Sequence, residues 1–383
     1  MAPSARAVSP RVVPGMSAVA TMSDSTGMYQ HSIGIVPDRR HGYCLDDNAR
    51  ALMLMNVATS LGESDRMRWS ICYASFIQYA WNPDKGRFRN FMRFDRTWCE
   101  DEGSEHSNGR GLWALGHTVE HHPAADIRQW AASLFTQVMD GIEPLRSPRA
   151  MGFAALGALA LLRTGGRHDG VDLDKCRALV EETCAMLAHL VDTARRPDWA
   201  WFEAVLGYDN PRLCQVLIEG GHVLGNQSWL DLGIETLDWI GRCQTSAQGY
   251  FRPIGSESFG EAGQWKPFDQ QPLEAQAAIE AAHSAWVATG DKKWVEQAAQ
   301  VYQWFFGAND RGIALADIAT GRCRDGVTPL GRNENSGAES ILAFQLGHYS
   351  LSGLLRKLQP QQIKGIQIGQ TVECPGAQSA SYS

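Results

Sequence analysis

Apolar residues recur at helical spacing in one segment after another, and polar, carboxylate-bearing stretches separate the segments. The first pattern runs from about Asp46 to Leu61. The second runs from about Ser64 to Trp81, with Trp69, Cys72, Phe76 and Ala80 on one face. A third opens after Ser104, which stands as its cap. Further patterns occupy about 123–143, 147–164, 171–194, 211–225 and 227–243, then from Phe268-Asp-Gln-Gln-Pro-Leu-Glu-Ala275 to Ala288, from Asp291 to Phe306, and a last one ending near Leu355. Pro123, Pro148 and Gly165-Gly166 supply boundaries. The stretch 86–99 alternates aromatic and basic residues and reads as a short hairpin or extended loop. About eleven helices and almost no long strand result. They come in pairs, and a polar loop recurs at the same phase of each pair. A ring of helical hairpins explains that rhythm, because it brings the starts of all inner helices around one pocket. The expected fold is therefore all-α, an (α/α)6 toroid with short β-hairpin loops. Residues 1–27 are expected to be a disordered arm, 28–358 the toroid, and 359–383 a disordered tail.

Composition narrows the function. The chain of 383 residues carries a net charge of -7, and no block of Lys and Arg stands out, so neither nucleic acid nor a membrane is an expected partner. No apolar run reaches the length of a membrane span. The nine cysteines are scattered without a CxxC pair, which points to reduced thiols and a cytoplasmic protein. The histidines lack metal-ligand spacing, and no phosphate-cradling glycine loop is present, so neither a metal nor a cofactor is expected.

The densest chemistry lies at loop–helix junctions. Gly42-Tyr-Cys-Leu-Asp-Asp-Asn-Ala-Arg50 runs straight into the apolar Ala51-Leu-Met-Leu-Met. A cap explains one aspartate of Asp46-Asp47 but not the whole cluster. Glu105, Glu203, Asp209, Asp269, Glu274 and Glu339 occupy similar junctions, alongside Trp201, Tyr208, Asn210, Gln270 and Gln271. Carboxylates with flat rings and planar amides suit a sugar pocket: a carboxylic acid protonates the leaving oxygen and a second carboxylate activates water or attacks. Asp47 and Glu203 are the first-choice catalytic pair, with Glu203 as acid in its aromatic loop, Asp269 as the substitute, and Asp46 and Glu105 as further candidates. Tyr43, Arg50, Arg110, Trp201, Tyr208, Asn210, Gln270, Gln271, Glu274 and Glu339 are expected to bind substrate.

The strings Pro37-Asp-Arg-Arg-His-Gly-Tyr-Cys-Leu-Asp-Asp-Asn-Ala-Arg50, Trp201-Phe-Glu, Tyr208-Asp-Asn-Pro-Arg212, Phe268-Asp-Gln-Gln-Pro-Leu-Glu-Ala275 and Ser336-Gly-Ala-Glu-Ser340 resemble a bacterial domain found beside family-4-type glycosyltransferases. The resemblance covers about Gly27 to Leu355. It implies membership of the six-hairpin glycosidase superfamily, a carbohydrate substrate and a possible glycosyltransferase partner. Relatives tend to read Ser-Glu-Asp-Ser-His-Gly-Arg where this chain has Ser104-Glu-His-Ser-Asn-Gly-Arg110, so His106 and Asn108 are not expected to be catalytic, whereas Glu105 and Arg110 remain candidates. The leading expectation is a glycosidase acting on an oligosaccharide or polysaccharide-related glycan, inverting because the toroidal hydrolases it resembles mostly invert. The alternatives are a sugar epimerase or isomerase, which would need paired histidines, and a non-catalytic glycan-binding partner of a glycosyltransferase.

Overall fold

The computed structural model describes residues 9–166, 170–258 and 265–358. The helices in chain order are α1 (Ser17–Thr21), α2 (Leu45–Val57), α3 (Glu63–Ala80), α4 (Glu105–His121), α5 (Ala125–Gly141) and α6 (Pro148–Arg163). They continue with α7 (Leu173–Ala194), α8 (Pro211–Leu224), α9 (Gln227–Cys243), α10 (Pro272–Thr289), α11 (Lys292–Gln303) and α12 (Ala338–Lys357). Local chemistry sets the boundaries. Ser104, Asp172, Asn226 and Asp291 accept backbone N–H groups as side-chain caps of α4, α7, α9 and α11. Proline opens α6, α8 and α10, where its missing N–H costs nothing.

Helices α2, α4, α6, α8, α10 and α12 each pack on the next, and α12 packs back on α2. The ring is closed. Outer helices α3, α5, α7, α9 and α11 lie against α2, α4, α6, α8 and α10 in turn. The inner helices are the buried ones: α6 is buried from Arg149 to Leu161, and α2 over most of its length. Each inner helix is reached through an outer one, so all six start at the same mouth. This is the (α/α)6 toroid that the hairpin rhythm led us to expect. Among the described residues no helix is long and apolar enough to cross a membrane.

The sixth inner helix finds its outer partner at the other end of the chain, which corrects the expectation of a disordered arm from residue 9 onward. Helix α1 packs on α12, and Ala18, Val19 and Met22 are buried. Gly15 and Ala18 donate backbone N–H groups to Ile318 and Thr320, Gln345 Nε2 donates to the Gly15 carbonyl, and Ser352 Oγ donates to that of Pro10. Residues 1–8 and the expected tail 359–383 lie outside the described residues.

Strands are confined to two-residue ladders at loops. Phe91–Met92 pairs with Tyr43–Cys44, and Arg87–Phe88 with Trp81–Asn82. The aromatic-basic stretch 86–99 is thus extended, and its second half folds back as a short hairpin in which Met92 bridges Trp98 while Phe91–Met92 also pairs with Tyr43–Cys44. Its role is to brace the start of α2.

Helices α4 and α6 approach closely enough that side chains are excluded at the crossing. A Cβ added at Gly116 would run into the Gly157 carbonyl, and one added at Gly157 would meet the Leu112 carbonyl. Both obstacles are backbone and cannot swing aside. Gly116→Ala is expected to destabilise the protein by about 1–3 kcal/mol through overpacking, read as a lower urea midpoint with an unchanged slope.

Candidate active site

Two cavities open at the two ends of the toroid. The one at the C-terminal ends of the inner helices measures about 420 Å³ and is mainly apolar. Its carboxylates already have partners: Glu219 pairs with Arg163, and Glu280 with Arg212. The other, about 400 Å³, lies at the helix starts and gathers the titratable groups that acid–base chemistry needs. Asp46, Asp47 and Arg50 come from α2, His106 and Arg110 from α4, Glu339 from α12, and Tyr208, Gln271, His31 and Asp325 from the loops between.

The start of α2 explains why two aspartates are available there. Neither caps its own helix. Asn90, on the neighbouring extended segment, acts as the cap instead. Its Oδ1 accepts the backbone N–H groups of Leu45 (3.0 Å) and Asp46 (3.4 Å). The two carboxylates are left for other partners. Asp46 Oδ1 accepts from Arg110 Nε at 2.9 Å, and about a quarter of its side chain remains exposed (23%). Asp47 is buried. Its Oδ1 accepts from Arg50 Nη1 at 3.1 Å, and the Cys44 thiol faces its Oδ2 at 3.1 Å.

Burial dominates the Asp47 carboxyl and pushes it up to about 7. Arg50 opposes the rise, and the carboxylates of Glu339 and Asp46 add to it. Arg50 reaches Glu339 Oε2 with its other amino nitrogen at 2.9 Å. The cation is therefore matched by Glu339 while Asp47 can remain a neutral acid near neutral pH.

Behind the cavity a chain of ion pairs descends the axis. Arg110 donates from Nη2 to Asp209 Oδ2 at 3.3 Å, and Arg212 Nε to Asp209 Oδ1 at 3.0 Å. Arg212 then donates to Glu280 and, at 2.8 Å, to Gln215. Asp209 takes a left-handed backbone (φ 53°), a conformation aspartate tolerates, and its N–H donates to Glu274. Glu274 is fully buried, and burial first, then the charge of Asp209, pushes it up to about 8.

The structure assembles only part of the expected set. Asp46, Asp47, Arg50, Arg110, Tyr208, Gln271 and Glu339 share the cavity. Glu203 does not line it: its carboxylate is held by Arg149 Nη1 at 3.0 and 2.8 Å, so the expected first-choice pair is not brought together. Glu105 accepts the backbone N–H groups of Arg146 and Ser147 ahead of α6. Asp269 is half-buried outside the cavity wall, its Oδ1 unpartnered, and burial raises it from the ordinary aspartate value. Trp201 is sealed in the core against Phe202 and Trp239 and forms no sugar platform. Tyr43 donates to Asp24, Asn210 ties to Gly207 and Arg149, and Gln270 to Trp304 and Asp310. Glu274 is buried beneath Asp209 and serves the scaffold.

Sequence reasoning missed His31, Asn90 and Asp325, and it set His106 aside. His31 sits edge-on to His41 at 4.7 Å, and burial with that neighbour holds it below the ordinary histidine range. His106 lines the cavity, but both ring nitrogens are engaged, with Tyr208 at 2.8 Å and Ser147 at 2.7 Å. Among the described residues no group of three or more His, Cys, Asp and Glu is placed to hold a metal.

No protein family matches the chain by sequence, and neither does any curated protein. Solved structures match over nearly its whole length. A sugar epimerase from a ruminal bacterium is 13% identical, with 90% of this chain and 95% of that one covered and a TM-score of 0.66. Cellobiose 2-epimerase from Bacillus thermoamylovorans is 10% identical, with 90% and 96% covered and a TM-score of 0.67. The GH76A α-1,6-mannanase from Salegentibacter sp. is 11% identical, with 88% and 96% covered and a TM-score of 0.57; a variant of it described as inactive has two consecutive aspartates changed to asparagine. These structures share with the chain the (α/α)6 toroid fold. At these identities the likeness is one of fold.

The raised Glu274 carboxyl links protonation to stability. Ionisation is disfavoured in the folded state, so stability is highest below the unfolded value of 4.5 and is lost as pH rises toward about 8. Glu274→Gln removes the ionisation. Urea midpoints at pH 5 and pH 8 should differ for the native chain by the equivalent of roughly 2–4 kcal/mol and differ much less for the variant.

Proposed function

We propose that the chain is a glycoside hydrolase acting on an oligosaccharide or polysaccharide-related glycan in the cavity at the inner-helix starts. The observation that carries this reading is the adjacent pair Asp46-Asp47, whose members lie in unlike surroundings. Asp47 is buried, pushed up to about 7 and able to hold a proton; Asp46 is partly open and held by Arg110. A buried carboxyl that holds its proton, next to a carboxylate open to the cavity, supplies an acid and a base from one helix turn. Asp47 donates its proton to the leaving glycosidic oxygen as the bond to the anomeric carbon breaks. Asp46 takes a proton from the water that attacks that carbon, and the product inverts. Arg110 positions Asp46. Burial, with the Glu339 carboxylate beside it, keeps Asp47 neutral; Arg50 and Glu339, with Gln271 and Tyr208, offer hydrogen bonds to sugar hydroxyls. This reverses the expected roles: the helix-start aspartate serves as acid in place of Glu203. The consecutive aspartates altered in the inactive mannanase variant support giving the pair this role.

The sequence resemblance supports a glycosyltransferase as partner in the same glycan chemistry. The eight described cysteines are unpaired, which supports a reducing compartment and hence a cytoplasmic location. A second reading, epimerisation, is favoured by the two imidazoles in the cavity. It is weakened because His106 has both nitrogens occupied and His41, the imidazole beside His31, does not line the cavity.

The test uses α-1,6-mannotriose and cellobiose as probes, with products followed by chromatography and proton NMR. Hydrolysis with the inverted anomer appearing first is expected. A sugar of unchanged mass but altered configuration at C2 would establish the epimerase reading instead. Asp47→Asn should lower kcat by about 10²–10⁴-fold. In the native enzyme kcat/KM should fall above about pH 7, because the acid is active only while protonated.

A further inference from the structure

The mouth of this cavity carries a ring of exposed apolar side chains that folding does not explain. Eleven large apolar side chains are exposed among the described residues, and six of them lie in three loops at this mouth: Ile33, Ile35, Val36, Phe91, Phe94 and Leu330. The loops form one rim. Gly34 N–H donates to Asn335 Oδ1 at 2.9 Å and Ser336 N–H to Ser32 Oγ at 2.8 Å, which ties the 32–37 hairpin to the segment after the 327–332 hairpin. The Arg39 guanidinium lies over the Phe94 ring at 5.0 Å, and Phe91–Met92 pairs with Tyr43–Cys44, which ties in the third loop. His31 and Phe91 belong both to this rim and to the cavity wall.

The apolar groups project from tight turns. Ile33 pairs with Val36 across Gly34-Ile35, with Gly34 at φ 60°, and Thr328 pairs with Gly331 across Pro329-Leu330. Leu330 is 99% exposed, Val36 63% and Ile33 61%. A leucine held wholly in water at a turn tip adds nothing to the core, and such a patch marks an interaction site. Arginines interleave with these tips. Over 31–41, 91–98 and 327–335 there are five arginines against two aspartates and one glutamate, in a chain whose net charge is -7; Arg40 pairs with Asp38 and Arg332 with Glu334, which leaves Arg39, Arg93 and Arg96 as the excess. Arg39, Arg40, Arg93, Arg96 and Arg332 are all exposed.

We propose that this rim docks on the surface of an anionic phospholipid bilayer, which turns the mouth of the cavity toward that surface. Separate apolar tips flanked by arginines suit an interface that yields around each side chain, with guanidinium groups at the headgroups and aliphatic ends among the acyl chains. A protein partner would call for one continuous patch rather than tips separated by cations. The composition-based expectation of no membrane contact averages over the whole chain and does not register a local excess of arginine. The proposal goes beyond the hydrolase reading and does not depend on it.

The test is co-sedimentation of the full chain with vesicles. One set contains about one third phosphatidylglycerol in phosphatidylcholine, and the other is phosphatidylcholine alone. Binding to the anionic vesicles is expected, weaker at high salt and weaker to the neutral ones. The double variant Ile33→Asp with Leu330→Asp should reduce the partition constant about tenfold or more, while its thermal midpoint and its turnover of soluble mannotriose, if the native chain has any, stay unchanged. No association by the native chain, equal association by the variant, or self-association through the rim without vesicle binding would overturn the proposal. Failure to hydrolyse any glycan would leave this result standing and count only against the hydrolase reading.

Discussion

The axial chain of ion pairs is the constraint on which the site depends. Six inner helices could have closed on a purely apolar core, and Ala- and Gly-rich α6 shows how tightly that is done on one side. Along the axis the interior instead holds Arg110, Asp209 and Arg212, each almost fully buried. Isolated charges there would be strongly unfavourable; each is held because its neighbours have opposite sign and suitable hydrogen-bond geometry. Arg110 lies between Asp46 and Asp209, and Arg212 between Asp209 and Glu280. Removing any one member would leave an unmatched charge in a dry place. The chain therefore fixes the rotation of α2, α4 and α8 relative to one another. Phe153 under Arg110 at 4.2 Å and Trp113 under Arg212 at 4.7 Å add aromatic faces to the same purpose.

Catalytic potential arises where this chain of ion pairs meets water. Asp46 is its last member and the only one of its carboxylates that also lines the open cavity at the helix starts. One residue on, Asp47 points to a separate cluster with Arg50 and Glu339. Successive residues on a helix project about 100° apart, so one turn can serve two environments. The wet end of the axial chain holds one aspartate on an arginine, while the second is desolvated beside a cation already matched elsewhere. In the proposed hydrolase, that division, more than the identity of the two residues, is what assigns one as acid and the other as base.

What is periodic and local is legible in the sequence. The pairing of helices, their boundaries at Pro148 and Gly165-Gly166, and the Ser104 cap all follow from residue types at short spacing. Asp46 and Asp47 stand out because their density exceeds what one cap needs. Long-range partners are hidden. Glu203 resembles an acid in an aromatic loop, but Arg149, 54 residues away, claims its carboxylate. Asn90 sits 45 residues from the helix it caps. Helix α1 spans only five residues, too few to show a period, and its partner α12 lies at the far end of the chain. Trp201 fits a sugar platform on residue type because indole suits both a pocket and a core, and only packing tells them apart.

The central claim is that burial keeps Asp47 protonated at neutral pH beside an open, arginine-held Asp46. The most direct measurement is the titration of the Asp47 carboxyl carbon by NMR in selectively labelled protein, assigned by its loss in Asp47→Asn. The account predicts a midpoint near 7. A midpoint in the ordinary aspartate range, close to 3.8, would mean that Arg50 outweighs burial, and Asp47 could not then serve as the acid.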